Sequence, residues 1–270
     1  MNYEKILWLK DKYINKTIVI IGCGTSLLDF DLNKIRKDIH IFTFNRFLQF
    51  FNYFWKDLKI NSYLCHDRFT LFEPFSFFLK KKFIHLKLNF DEYEGIKEKY
   101  KECFNLPLYD IILKEYFEIS DNLFFAGHSN GVPDEKQIND EWYKKLKQYS
   151  LNKKFHFYKI NNYDNSYDLI KKNKEASIGN PCVGSICSPI LPIINHLGFK
   201  EIYLAGIDFS DKGYFFFQQK NLTDFRQVEF DYFNEIIKFL INKNKKVYAV
   251  QHNDTLIKNN FKTIDFSDLT

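Results

Sequence analysis

Short apolar runs recur along this chain, and most of them stop at glycine or at a knot of polar residues. The first, Thr17–Ile21 (TIVII), is apolar and β-branched. A strand buried on both faces of a parallel sheet reads this way. It gives way to Gly22-Cys23-Gly24-Thr25-Ser26 and then to an apolar-periodic stretch from Leu27. Strand, glycine turn and helix in that order aim backbone N–H groups at an anion such as a phosphate. Gly22 and Gly24 permit positive φ and close backbone approach. Thr25 or Ser26 can cap the helix and offer a hydroxyl to a ligand. The third glycine of a dinucleotide fingerprint is absent, so a tight turn without a ligand is an equal reading.

The same pattern repeats downstream. Residues 39–44 (IHIFTF) read as a second strand ending at Asn45-Arg46, and Ile60–Cys65 as a third ending at His66-Asp67-Arg68. Residues 83–88 and 155–160 are strand candidates. Glu201–Ala205 is a buried strand ending Gly206-Ile207-Asp208-Phe209, and Lys246–Val250 is a last strand ending Gln251-His252-Asn253. Helical spacing appears at 1–13, in the aromatic run 47–56, at 69–82, 134–147 and 229–241. It appears again at 186–197, where Pro189 and Pro192 fall in the first turns and Gly198 suits the C′ position. Strands alternating with helices predict a single α/β domain over residues 1–270, with a Rossmann-like, mostly parallel sheet and helices on both faces. The irregular stretch at about 91–180 reads as an inserted lid. It includes the glycine-rich loop Gly127-His128-Ser129-Asn130-Gly131. In such sheets ligands sit beyond the C-terminal strand ends, where these polar knots fall.

Composition narrows the classes. An apolar fraction of 45% over 270 residues supports a real core. Aromatics reach 19%, with 31 Phe and 17 Tyr; with the abundant Lys, Ile and Asn this is the signature of AT-rich coding, so aromatic clusters are not read as base-stacking platforms. A net charge of +5 is modest and spread out, which argues against a nucleic-acid partner. An ordinary solvated surface explains it most simply, and an anionic small substrate or peripheral contact with an anionic membrane surface fits it too. The five cysteines show no CxxC pair or metal spacing, and with no secretory signal pattern they predict reduced thiols in a cytoplasmic protein. No stretch approaches the roughly eighteen apolar residues of a membrane span.

The segment 198–210 (GFKEIYLAGIDFS) resembles the corresponding part of bacterial sialyltransferases that use CMP-sialic acid. Those enzymes carry a glycine turn of the form G-N-G-P-S-L after strand one, similar to Gly22 to Leu27. They carry an Asn after strand two, matched by Asn45, and a small Ser/Thr-Gly turn before the long apolar helix, matched by Gly184-Ser185. Their last strand ends in a polar motif with Asn, matched by Gln251-His252-Asn253-Asp254. The order agrees, and the resemblance covers most of the chain outside 91–180. A wider set, the motility accessory factors and archaeal hydroxymethylpterin diphosphokinases, is similar over Gly184 to Asp208.

The resemblance implies an inverting, metal-independent glycosyltransferase. It would move sialic acid or a related nonulosonic acid from a CMP-activated donor to a cell-surface glycan, with no cofactor beyond the donor. It implies a histidine base on the acceptor hydroxyl and tyrosines on the departing phosphate; a base titrating near neutrality suits that step. Donor contacts then fall to Gly22, Gly24, Thr25, Ser26, Asn45, Arg68, Gly184, Ser185, Gly206 and Asp208. Asn45 can pair with a ribose or base edge, Arg68 with a sugar carboxylate, and Asp208 with a ribose hydroxyl, since a carboxylate repels phosphate. Two departures stand out. Cys23 replaces the first-loop Asn, and no histidine lies between Asp208 and Glu229, where the family places its base. Of the seven histidines, His40, His85 and His156 fall in strand patterns and His196 ends a helix. His66, His128 and His252 remain. His128, in the lid, is the expected base and Tyr214 the expected phosphate partner. Two other classes stay open: a diphosphokinase-like transferase, and a non-catalytic nucleotide-sugar-binding paralogue.

Overall fold

The computed structural model describes residues 9–45, 47, 54–55, 57–65, 88–89, 120–127, 155–159, 186–209, 217–218, 223–251, 256 and 261–270. Its strands are β1 (Thr17–Ile21), β2 (His40–Phe44), β3 (Ile60–Cys65), β4 (Leu88–Asn89), β5 (Ser120–Gly127), β6 (Phe155–Lys159), β7 (Glu201–Ala205), β8 (Phe217–Gln218), β9 (Lys246–Val250) and β10 (Thr263–Ile264). Eight of them form one sheet in the order β10-β9-β7-β1-β2-β3-β5-β6. Every neighbouring pair runs parallel. β4 and β8 pair separately. β1 lies at the centre, between β2 and β7, and its residues 18–21 are fully buried. Its continuous apolar run follows from that place, since helices or turns cover both faces of a parallel sheet.

Side chains alternate across the sheet. Ile18, Ile20, Phe42, Leu64, Phe124, Ile202, Leu204 and Ala249 share one core with the helices α1 (Leu191–His196) and α2 (Thr223–Asn242). From α2 come Phe230, Phe233, Ile236, Ile237 and Leu240, spaced three and four apart so that they share one stripe. Each such buried side chain stabilises by about 1.5–3 kcal/mol. α2 stops at a left-handed Asn244, φ 60°. Lys245 N–H donates back to Leu240 C=O and Asn244 N–H to Ile241 C=O, a Schellman stop. The opposite face holds Val19, Ile21 and Tyr63, all buried, and Leu27 and Trp55 are buried outside the first core cluster. Trp55 donates its indole N–H to Phe30 C=O at 2.9 Å and stacks on Phe47.

The predicted strands β1, β3, β7 and β9 stand at their expected bounds, and β2 and β6 within one residue. β5 and β6 both lie within 91–180, so the stretch read as a lid contributes two strands to the main sheet. β5, β8 and β10 had no counterpart in the sequence reading. The apolar helix at 186–197 is divided: Ile186–Ile190 is a π-helical turn containing Pro189, and α1 begins after it with Pro192 in its first turn. Proline cannot donate an interior N–H, so the break falls where two of them crowd the start. Residues 10–13, expected at the end of an N-terminal helix, form turns together with 14 and 15. The expected helices at 69–82 and 134–147 lie outside the described residues.

On β7 and β9, Tyr203 and Tyr248 stack at 5.3 Å between ring centroids. Beside them Lys246 donates to Glu201 at 2.7 Å. Burial, then the Glu201 charge and Tyr248, push the Tyr203 phenol up to about 12. A raised tyrosine pKa stabilises the fold fully below the unfolded value of about 10, and the contribution is lost as pH rises through about 12. Tyr203→Phe should therefore unfold less steeply with pH than the parent between about pH 10 and 12. Thermal melts across that range check it; identical slopes would refute it.

Candidate functional site

From β1 the chain builds outward through β2, β3, β5 and β6 to one edge, then returns to β7 and builds through β9 to β10. The switch point lies between β1 and β7, and the crevice beyond their C-terminal ends is where such sheets bind ligands. Two turns meet there. Gly22 N–H donates to Ala205 C=O at 2.8 Å, and Gly24 N–H to Gly206 C=O at 2.7 Å. The glycines are needed for room. A Cβ on Gly22 would strike the Gly206 carbonyl oxygen, and one on Gly24 would strike the Asp208 carboxylate. One on Gly206 would stand 2.5 Å from Leu27 Cγ, at a residue with φ +65°. Gly22 and Gly24 use the close approach that glycine permits and not the positive φ, which among the described glycines belongs to Gly198 and Gly206.

Asp208 closes the turn. Its carboxylate accepts the Ser26 N–H at 2.9 Å and the Ser26 hydroxyl at 2.5 Å. Ser26 is buried and Asp208 half-buried. Neither Ser26 nor Thr25 caps a helix, contrary to expectation. Thr25–Asp29 is a five-residue 3-10 helix whose N-cap is Gly24, with no side-chain cap. The amide expected to face a phosphate is thus held by an anion of the chain itself.

Asn45 stands at the end of β2 in left-handed backbone, φ 49°. Its N–H donates to Leu64 C=O at 2.9 Å, and its C=O accepts the Tyr63 hydroxyl at 2.8 Å. Tyr63 is fully buried, so the asparagine main chain is held from the core. A second non-glycine residue in that conformation, Phe209 with φ 46°, follows Asp208. Its ring packs on Phe230 and Phe233 of α2, with centroids 5.3 and 4.8 Å away. Neither Tyr63 nor Phe209 carries a sequence signal for such a role. Cys23 and Cys187 are buried.

The structure thus gathers Gly22, Gly24, Thr25, Ser26, Gly206 and Asp208 at one corner, with Asn45 at the end of β2, which pairs with β1. Arg68, His128, Gly184, Ser185 and Tyr214 lie outside the described residues, as do His66 and His252. His40 and His156 fall in β2 and β6, as expected, and His40 bonds Ser62 at 2.8 Å. His196 is buried as the last residue of α1. Among the described residues no group of three or more His, Cys, Asp or Glu side chains gathers for a metal, and no helix is long and apolar enough to cross a membrane.

No protein-family model matches the chain, and no curated protein sequence matches it. Solved structures do. The chain is similar to sialyltransferase CST-II in complex with trisaccharide acceptor and CMP, at 19% identity over 92% of this chain and 86% of that one, TM-score 0.48. It is similar to the apo α-2,3-sialyltransferase from Campylobacter jejuni, at 20% identity over 93% and 82% of the two chains, TM-score 0.48. The monofunctional α-2,3-sialyltransferase Cst-I from Campylobacter jejuni gives 20% identity over 92% and 79%, TM-score 0.48. These likenesses are of fold. None of them bears on the motility accessory factors or the diphosphokinases.

The Ser26–Asp208 pair is testable by a double-mutant cycle. Asp208→Asn and Ser26→Ala should each destabilise by about 1–3 kcal/mol, with a coupling of about 0.5–3 kcal/mol. Denaturant midpoints of the parent, both single variants and the double variant measure it. Additive losses would mean that the two side chains do not act together.

Proposed function

We propose that the chain is a glycosyltransferase that takes a CMP-activated nonulosonic acid as donor and a glycan as acceptor. The observation that carries this reading is the meeting of the Gly22 turn, the Gly206–Asp208 turn and Asn45 at the switch-point edge, which are the segments that resemble CMP-sialic acid sialyltransferases in sequence. In this reading Asn45 offers its amide to the nucleoside, which can both donate and accept. Asp208 offers carboxylate oxygen to a ribose hydroxyl, and its charge keeps the donor phosphate away from the Ser26 corner. Arg68 pairs with the sugar carboxylate, and Gly184-Ser185 line the nucleotide. Residues around 128 close as a lid.

His128 takes the proton of the acceptor hydroxyl. The freed oxygen bonds to the anomeric carbon as the bond from that carbon to the CMP phosphate oxygen breaks. CMP leaves with the electron pair, held by Tyr214, and configuration inverts. The protein binds peripherally at the inner face of the membrane, where glycan acceptors are built. The absence of histidine between Asp208 and Glu229 favours a second reading, a nucleotide-sugar-binding paralogue without turnover.

CMP should raise the melting temperature without added metal, because a ligand that binds only the native state stabilises it by linkage. Asn45→Ala should weaken CMP binding by about 1–3 kcal/mol. Unchanged affinity in a folded variant removes Asn45 from the site. His128→Ala should lower donor hydrolysis or transfer by about 10²–10⁴-fold with CMP affinity retained. If His128→Ala, His66→Ala and His252→Ala all keep full activity, the base is not a histidine. If the parent binds CMP and no turnover is found with any glycan, the second reading stands.

A further inference from the structure

A cleft of about 470 Å³ opens between the C-terminal half of α2, the start of β9 and residues Phe261 and Lys262. It lies by the N-terminal end of β9, the opposite edge of the parallel sheet from the glycine turn. The Schellman stop builds it, because Asn244 turns Lys245 and Lys246 back beside the helix that they leave. Four lysines line it, Lys238, Lys245, Lys246 and Lys262, and the described lining contains no Asp or Glu. The acids of this part of α2, Asp231 and Glu235, are not in the wall.

The cations are not equivalent. Lys245 is half-buried, donates to Phe199 C=O at 2.7 Å, and burial lowers its pKa. Lys246 pairs with Glu201. Lys238 and Lys262 are exposed and have no ion-pair partner among the described residues. The rest of the wall is apolar at Ile237, Ile241, Val247 and Phe261, with Asn234 and Tyr248 beside them. Ile241 is 51% exposed. A site for an inorganic anion alone needs neither the volume nor the apolar wall. The volume falls among those of pockets for organic ligands, which run to about 300–1,000 Å³.

We propose that this cleft binds an anionic amphiphile, with a phosphate head held by Lys238 and Lys262 and a hydrocarbon body laid on Ile237, Ile241, Val247 and Phe261. Lysines next to exposed apolar surface are the chemistry that recognises an anionic lipid. The site is separate from the candidate donor crevice and does not depend on the function proposed for it.

Calorimetric titration of the full chain with dihexanoyl-phosphatidylglycerol, kept below its micelle concentration, tests the proposal. The lipid should bind the parent. Lys238→Gln/Lys262→Gln and Ile241→Gln should each weaken binding by about tenfold or more. Lys243→Gln is the control. It removes a charge from the same helix end, yet Lys243 is outside the wall and sits 5.6 Å over the Phe239 ring. Its affinity should stay within about twofold of the parent. Sedimentation with phosphatidylglycerol vesicles then names the source. Co-sedimentation competed by the short-chain lipid supports a lipid taken in the bilayer, and short-chain binding without co-sedimentation supports a free amphiphile. The proposal is overturned if no lipid binds, if Lys243→Gln weakens binding as much as the double variant, or if inorganic phosphate binds as tightly as the lipid.

Discussion

The close approach of two strand ends governs the candidate site. β1 and β7 are central neighbours in an all-parallel sheet, and their ladder continues past both strands into the turns through the Gly22 and Gly24 amides. Three side-chain-free positions make that continuation possible, because Gly22, Gly24 and Gly206 each meet an atom that a Cβ would strike. Leu27 fills the space under Gly206 and is itself fully buried. The turn is therefore packed from below by an apolar side chain and from the side by a carboxylate. Interiors this dense tolerate added methyl groups poorly, at a cost of about 1–3 kcal/mol. Glycine here serves contact more than turn shape.

That packing changes what the glycine turn can bind. A phosphate at the start of a helix needs free N–H groups and a run of aligned peptides behind them. The 3-10 segment here has five residues, and the Ser26 amide already holds Asp208. A second anion at the same amide would meet the carboxylate at close range, where like charges repel by kcal/mol amounts in a half-buried setting. A ribose hydroxyl meets no such penalty, since it can donate to the same oxygens. The corner is thus suited to an uncharged, hydroxyl-bearing group rather than to a second anion.

The architecture was legible in the sequence wherever an apolar run was short and sharply ended. β1 is apolar throughout because both of its faces are covered, whereas β7 and β9 bury Ile202, Leu204, Val247 and Ala249 and leave Glu201, Tyr203, Lys246 and Tyr248 less buried. β5 was missed because SDNLFFAG opens with Ser, Asp and Asn, and a strand nearer the sheet edge need not be apolar throughout. β10 was missed because two residues carry no periodicity. At the candidate site the participants were legible but their relations were not. Gly22, Ser26, Asn45, Gly206 and Asp208 could be chosen from strand ends. That Asp208 would take Ser26 is a pairing across 182 residues, and no local pattern encodes it. Tyr63 reads as an ordinary core tyrosine, although its hydroxyl fixes Asn45.

The backbone around the crevice is held in conformations that side chains usually avoid. Asn45 and Phe209 are both left-handed, and for an L-residue that conformation costs roughly 1–2 kcal/mol. Asparagine tolerates it best among non-glycine residues, so the strain at Asn45 is small. Phenylalanine does not, and its strain must be offset by contacts. The ring of Phe209 meets Phe230 and Phe233, and aromatic pairs contribute about 0.5–1.5 kcal/mol each beyond their burial. Two such pairs match the strain. Because Phe230 and Phe233 belong to the buried stripe of α2, the loop after Asp208 is anchored to the same helix that packs the sheet. Strain offset by core packing keeps a loop in place before any ligand arrives. The Gly206–Phe209 side of the crevice is accordingly preformed, and affinity at this corner is not reduced by the entropy of ordering that loop.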